Sequence, residues 1–438
     1  MIKTLQNALK VKEIRSRLLF TFVILLVVRI GCAIPAPGVN TAFFESWFAS
    51  QTGDAFNFFN VMTGGSFTNQ SIFALNITPY ITASIIIQLL TIAIPALEEL
   101  QKDSEHGRQK INDITRYSTL ALALIEATAM TIGFGRQGLL TNYTWYNVIV
   151  VVVTMTAGSV LLMWLGEKIT ERGVGNGISM ILLFNIISSL PGDSAGLFDR
   201  FVFGNSVLGG VLAAVVIIAL ILAMVSFVVM LNGGERRVPV QYAAKMQGRR
   251  TYGGQSQNMP IKVNTAGVIP VIFASSLMSL PVMISQFFSV DYSTIGGKIL
   301  AALSSSNWCK PSAPWYSVGL LVYIALIILF AYFYTSITFN PIEIANNLKK
   351  QGGSIPGIRP GKPTSEYLNH ILNYLVFIGA AGLVIVAVIP IILSGFLSIS
   401  NLSFSGTSLI IIVGVILETM NQIESMMRVR KYSGFLND

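Results

Sequence analysis

ISMILLFNIISSL, residues Ile178–Leu190, is an apolar run of thirteen residues, shorter than the roughly 20 that an α-helix needs to cross hydrocarbon. By length it is re-entrant or buried. Around it lie nine longer apolar runs, at Leu18–Pro35, Leu75–Leu97, Ile114–Phe134, Asn147–Gly166, Val207–Leu231, Val263–Phe288, Trp315–Phe339, Leu368–Leu393 and Gly406–Met427. Whether the short run crosses sets the side of the membrane on which every later loop lies.

Composition establishes the solvent. Of 438 residues, 53% are hydrophobic and 11% charged, with a mean hydropathy of +0.66, which excludes a soluble chain of this length. Charge then settles the short run. If it crosses, 24 of the 29 Lys and Arg residues lie in cytoplasmic segments, leaving Arg136, Arg200, Lys298 and Lys310 outside and Arg29 within the first run. If it does not, the six basic residues from Arg236 to Lys262 face outward, against the cytoplasmic excess of Lys and Arg in membrane proteins. The expectation is therefore an all-α polytopic membrane protein of ten transmembrane helices with both termini cytoplasmic. The first run ends in Ile34-Pro35-Ala36-Pro37-Gly38 without a small-residue cleavage pattern, so it reads as a retained span. The chain divides into a cytoplasmic segment 1–17, an N-terminal half 18–190, an outer connection 191–206, a C-terminal half 207–427 with cytoplasmic loops 232–262 and 340–367, and a tail 428–438.

The two halves echo each other. Pro79–Ser84 and Pro270–Ser275 both read P-x-I-x-A-S, with Asn76 and Asn264 before them. The second and seventh runs hold equivalent places in two five-span halves and run in opposite directions. That is the pattern of inverted repeats related by a two-fold axis in the membrane plane, with proline-interrupted segments at the functional centre.

The stretch before the first echo is polar. Phe56–Ser71 carries Asn57, Asn60, Thr63, Gly64, Gly65, Ser66, Thr68, Asn69 and Gln70 among aromatic residues. Backbone of this kind survives at membrane depth only when buried in protein or lining an aqueous cavity. Two readings stay open: a half-inserted helix with a Gly-Gly hinge, and an outer loop with an aromatic anchor.

PGIRPG, Pro356–Gly361, stands in a basic cytoplasmic loop that membrane insertion does not require. Its prolines and glycines restrict the backbone around Arg359, giving a shaped tip with a permanent cation. Arg236, Arg237, Arg249 and Arg250 make a second basic loop, and such loops suit phosphate-rich RNA by charge.

No GxxxxGK[ST] loop and no HExxH occurs, and the only histidines are His106 and His370. The expectation is a chain with no catalytic residue, metal or cofactor. Among intramembrane carboxylates, Glu126 and Glu418 lie deepest, either hydrogen-bonding between helices or serving transport. Cys32 and Cys309 fall in a span and an outer loop, so no disulfide framework is expected.

Several motifs carry a resemblance over essentially the whole chain. PGIRPG, Ser71–Leu75 leading to Ser84–Leu90, the run Met163–Ser179 (MWLGEKITERGVGNGIS), Gln247–Arg250, Gly267–Pro270 and Asn346–Lys350 resemble the SecY family of protein-conducting channels. The resemblance implies a clamshell of two five-helix halves around an hourglass pore, with a lateral gate between the second and third spans on one side and the seventh and eighth on the other. It implies a constriction ring of Ile77, Ile81, Ile178, Leu182, Ile272 and Ile411. A plug would run from Phe59 to Ala74, including Asn60, Gly64, Gly65, Ser66 and Phe67. Gln88 and Asn264 would face each other across the gate, in position to hydrogen-bond. The implied partners are the SecE and SecG membrane subunits, the SecA motor ATPase, the ribosome, signal peptides with nascent or unfolded polypeptides, and membrane lipids. Arg236, Arg237, Arg249, Arg250 and Arg359 would dock motor or ribosome, and the location would be the bacterial cytoplasmic membrane. Against this, a secondary solute transporter should show polar groups at its midplane where these positions are aliphatic, and an intramembrane hydrolase should show a nucleophile or metal ligands.

Overall fold

Inside a bilayer every backbone N–H and C=O must find its partner within the protein, and a helix supplies those partners locally. The apolar runs fold accordingly. The computed structural model describes residues 6, 8–50, 60–102, 105–198, 207–242, 245–247, 250–252, 256–285, 294–304, 307–309, 314–397 and 406–433. Phe59 and Arg249 lie outside the described residues.

The first half contains α1 (Lys12–Ala33), α2 (Thr41–Ser50), α3 (Thr78–Ala93), α4 (Pro95–Lys102), α5 (Glu105–Phe134), α6 (Trp145–Arg172) and α7 (Gly177–Phe198). The second contains α8 (Val207–Gly233), α9 (Ile269–Ser285), α10 (Ile295–Leu303), α11 (Val318–Thr338), α12 (Pro341–Lys350), α13 (Lys362–Leu397) and α14 (Gly406–Ser433). Among the described residues seven helices are long and apolar enough to cross a membrane, eight if α3 and α4 count as one bent span. Gly177–Pro191 and Ile269–Ser279 are shorter apolar helices. Together they occupy the ten expected segments.

Three segments depart from the expected outlines. The short run belongs to a helix of 22 residues, α7, which stays helical through Pro191. At 1.5 Å per residue it is about 33 Å long, enough for the roughly 30 Å of hydrocarbon. Proline removes one N–H and its bond, and here the helix continues past that loss. The second run breaks at Ile94 (φ −112, ψ 110), the extended geometry that a following proline favours. The seventh begins at Ile269, because Val263–Val268 is irregular and Gly267 takes φ 65.

The packing follows the repeat. In the first half α1 lies against α6 and α7, α3 against α5, α5 against α6, and α6 against α7. In the second, α8 lies against α13 and α14, α9 against α11, α11 against α13, and α13 against α14. Each contact of one half has its counterpart in the other. Between the halves α7 packs on α14, while among the described residues α3 and α9 share no comparable contact. The clamshell is therefore tied on one side and only loosely joined on the side of α3 and α9.

Val271, Ile327, Leu383 and Ile410 belong to the buried core of the second half. The first half has a membrane layer around Leu162, Ile169 and Ile181 and an outer aromatic layer. In that layer Phe44 meets Phe67 and Phe134 edge-on at 5.4 and 5.5 Å. On α8, Val211, Leu212, Val215 and Val216 are exposed, a face suited to lipid.

The loops expected on the cytoplasmic side add structure that a purely helical reading omits. β1 (Glu235–Tyr242) pairs antiparallel with β4 (Ser256–Lys262), and β5 (Gly353–Ser354) adds to β1's other edge. β2 (Lys245–Gln247) and β3 (Arg250–Tyr252) form a separate hairpin. Val238, Val240 and Ile261 point inward, and Val238 and Ile261 join Ile355 and Leu368 in a small core.

Candidate functional site

Four elements converge at the centre of the molecule. Ile77 and Ile81 lie one turn apart at the root of α3, as do Ile178 and Leu182 on α7, so each pair shares a face. Ile272 comes from the first turn of α9 and Ile411 from α14. Leu182 and Ile411 are buried, and with the partly buried Ile81 and Ile272 they form one apolar cluster. Val61 and Met62, from the expected plug, complete that cluster with Leu183 and Ile186. Ile77 and Ile178 sit in the adjoining first-half cluster with Val28, Phe73 and Ile169, and Ile81 belongs to both. The structure thus brings four of the six expected ring residues together and links the other two through Ile81.

The described part of the expected plug begins at Asn60. Among the described residues Asn60–Thr63 are helical, and turns follow up to Ile77, with Ser71 in an isolated bridge to Pro35. Gly64 and Gly65 end the helix by taking φ 62 and 85, a left-handed geometry in which glycine avoids a steric penalty. The polar side chains bond inward: the Asn60 side-chain Oδ1 accepts from the Thr68 hydroxyl and, at 3.3 Å, from its N–H. The Ser66 hydroxyl donates to the Thr63 carbonyl at 2.8 Å. Phe67 anchors the outer end among Phe44 and Phe48, and Ala74 is fully buried.

Arg29, the one cation of the first apolar run, is a residue that sequence reasoning left without a role. Its guanidinium donates to the Gly64 carbonyl at 2.8 Å, so the one cation of that run holds the turn at Gly64 within the expected plug. A lone Arg inside an apolar run is itself a signal, because its burial is costly unless it meets acceptors.

The expected gate pair is not joined in this conformation. Gln88 Nε2 donates to Ser84 on its own helix at 3.3 Å, and its Oε1 is buried without a partner. Asn264 Nδ2 donates to Asn232 Oδ1 at 2.7 Å and to the Gly267 carbonyl at 3.0 Å. Asn264 therefore ties the irregular start of the seventh segment to the end of α8.

The carboxylates divide by depth. Glu167 takes a bidentate pair from Arg116 at 2.8 Å, joining α6 to α5, and Asp113 adds a third bond to the same guanidinium at 3.0 Å. Arg116 is 44% exposed, so the network contributes little, about 0–1 kcal/mol. Glu126 Oε2 is buried without a hydrogen-bond partner, and Glu418 is exposed. Among the described residues no cluster of His, Cys, Asp and Glu is arranged to hold a metal ion.

The two basic loops share one sheet, because β5 of the later loop extends the sheet of the earlier one. Arg236 and Arg237 are exposed on β1, and Arg250 opens β3. Ile355-Pro356-Gly357-Ile358 is a type II turn, with Gly357 at φ 83 and the Ile358 N–H bonded to the Ile355 carbonyl at 3.0 Å. The Thr364 hydroxyl donates to the Arg359 carbonyl at 2.9 Å, fastening the loop to the start of α13. Ile355 and Ile358 plant it in the small core with Val238, and Arg359 projects into solvent.

An inverted pair of helical halves, meeting at an aliphatic cluster on which a self-bonded polar segment rests, fits a membrane channel rather than a solute-binding site. Comparison with known proteins gives the kind of channel. The chain belongs to the SecY family: the family model matches residues 71–420, and the protein translocase subunit SecY of Corynebacterium glutamicum is 43% identical over 98% of this chain and 99% of its own length. A solved protein-conducting channel shares the fold with a TM-score of 0.67 at 20% identity, covering 95% of this chain and 93% of that one. Sec61 from a canine ribosome–channel complex shares it with a TM-score of 0.66 at 20% identity, with the same coverages. The chain is the pore-forming subunit of a protein-translocation channel and crosses the membrane several times.

Proposed function

We propose that this subunit is a passive conduit, sealed at rest by the ring of Ile77, Ile81, Ile178, Leu182, Ile272 and Ile411 and stoppered by Phe59–Ala74. The observation that carries the reading is the cluster in which Val61 and Met62 pack with Leu182, Ile272 and Ile411. An aliphatic constriction expels water and so blocks ions, yet it offers a passing chain no hydrogen bonds and yields around it. That chemistry suits transport of unfolded polypeptides irrespective of sequence.

Release toward lipid follows from the weak seam between α3 and α9. An apolar signal segment that wedges there exchanges water for lipid and favours the open state by binding it better. Gln88 and Asn264 flank this seam, and the buried, unpartnered Gln88 Oε1 is free to accept a hydrogen bond when the seam rearranges.

Energy comes from partners on the cytoplasmic platform. Arg236, Arg237, Arg249, Arg250 and Arg359 suit the acidic surface of a motor ATPase such as SecA or the phosphates of ribosomal RNA. The ribosome-bound state of the Sec61 neighbour supports the second partner. SecE and SecG are the proposed membrane subunits, and membrane lipids surround the complex. Ten spans, both termini cytoplasmic and the bacterial cytoplasmic membrane complete the proposal, with the two halves at 18–190 and 207–427.

The test is transport by the purified complex in liposomes. Uptake of a signal-bearing preprotein only with motor and ATP is the expected result. Uptake of small solutes without them would overturn it.

A further inference from the structure

Asn76 stands where three elements meet. Its φ of 51 is left-handed, a geometry that asparagine tolerates better than other side-chain-bearing residues, and it is only 2% exposed. Its Nδ2 donates to the Met62 carbonyl at 2.7 Å, its Oδ1 accepts from Asn185 Nδ2 on α7 at 3.3 Å, and its backbone carbonyl accepts from the Ser159 hydroxyl on α6 at 2.5 Å. The plug turn is thus fastened to the root of α3 by one side chain. Met62 and Gly64 lie at the C-terminal end of this helical segment, where carbonyls lack partners within the helix. Asn76 satisfies the first and Arg29 the second. The seat is tight: a Cβ at Gly64 would lie 3.0 Å from the Asn185 carbonyl and 2.7 Å from the Arg29 guanidinium.

Asn185 has a second feature. It is fully buried in the apolar middle of α7, yet its Oδ1 has no hydrogen-bond partner. A buried acceptor left unpaired is costly and calls for a reason. We infer that Asn76 and Asn185 form a two-position latch for the plug, closed when Asn76 donates to Met62 and released when it donates instead to the waiting Asn185 Oδ1. In the closed state one amide bond joins the asparagines and another holds the plug. On opening, the Met62 carbonyl passes to water in the outer funnel, and rotation of the Asn76 amide makes a reciprocal pair with Asn185. No buried donor is orphaned by the departure, so the plug leaves without a large penalty. Asn76 and Asn185 are positioning residues in this scheme and touch the plug rather than the translocating chain.

The inference rests on the reading of Asn60–Ala74 as the plug, and the experiment separates the two. Planar-bilayer recordings on the full channel complex would compare Asn76→Gly, Asn185→Leu, the double variant and deletion of Asn60–Ala74. Glycine accepts φ 51 without strain, which offsets part of the cost of the two side-chain bonds lost, so Asn76→Gly should stay folded with a modestly lower melting temperature while increasing resting ion conductance about three- to tenfold, the worth of one or two hydrogen bonds. Asn185→Leu removes the landing acceptor but leaves the bond to Met62, so it should add no leak and should slow preprotein-driven opening about three- to tenfold. Beside Asn76→Gly the leucine should lose that effect. An ion-tight Asn76→Gly, with the deletion leaking, would sink the latch. Leak from Asn185→Leu equal to that of Asn76→Gly would remove the landing role and the two-position scheme. A deletion that is itself ion-tight would overturn the plug reading and the latch with it.

Discussion

Pro79 and Pro270 hold equivalent places in the two halves: each is the second residue of its helix and stands three residues beyond a left-handed backbone, Asn76 at φ 51 and Gly267 at φ 65. The early-helix position suits proline, whose missing N–H would have no intrahelical acceptor there. The left-handed residue turns the chain from an irregular segment into the helix. Both Ile81 and Ile272, two residues beyond these prolines, are thereby delivered to the central cluster.

This geometry makes the backbone at Gly267 a stability determinant. A Cβ there meets nothing within 4 Å, so the cost of Gly267→Ala is conformational alone, about 1–2 kcal/mol. The melting temperature of the purified protein should fall for alanine and more steeply for valine, and asparagine should restore most of the loss. Equal stability of all three would show that the left-handed turn is not maintained.

The crossing of α7 is testable by labelling. Cysteines replacing the exposed Glu171, at the end of α6, and Asp193, near the end of α7, should react with impermeant reagents from opposite faces of sealed vesicles. Labelling from one face would undo both the ten-span threading and the inverted repeat.

What the sequence carried, and what it hid, follow physical lines. Loop charge argues for a crossing at Ile178–Leu190, because charge asymmetry is a property of composition. Helix length there was not legible, since Ser-Ser-Leu-Pro-Gly-Asp reads as a terminator although Pro191 is accommodated within α7. The sheet under Arg236 and Arg237 had a local signal, the alternation Val238-Pro239-Val240, masked by the surrounding charge. Asn185 had a weaker one, a lone amide in an apolar run. Its partner Asn76 lies 109 residues away, and no spacing rule reaches that far. The failure of Gln88 and Asn264 to meet has the same origin: each has a closer partner that only the fold reveals.

Docking and folding should separate within PGIRPG. Arg359 is exposed, whereas Ile355 is 3% exposed and packed with Val238 and Leu368. Arg359→Glu should abolish motor- or ribosome-driven transport with the melting temperature within error of the parent. Ile355→Ala should instead lower stability by about 2–4 kcal/mol through the cavity it leaves. Loss of folded protein in Arg359→Glu would assign the arginine to the fold.

The ring makes the sharpest prediction, because its six members are not equally placed. Ile81, Leu182, Ile272 and Ile411 share the cluster that receives Val61 and Met62, so serine at each should hydrate the constriction and raise resting conductance cumulatively. Leu182→Ile conserves volume and should be nearly silent, costing less than about 1.5 kcal/mol. Ile77 is 1% exposed and packs with Val28 and Phe73 in the first-half core. Ile77→Ser should therefore leak and also lower stability by about 2–4 kcal/mol, and serine at the partly buried Ile272 should leak with far less loss of stability. Paired measurements of single-channel conductance and thermal unfolding resolve the two effects. If Ile272→Ser and Ile411→Ser stay ion-tight in a folded protein, alone and together, the conduction path does not pass between α9 and α14.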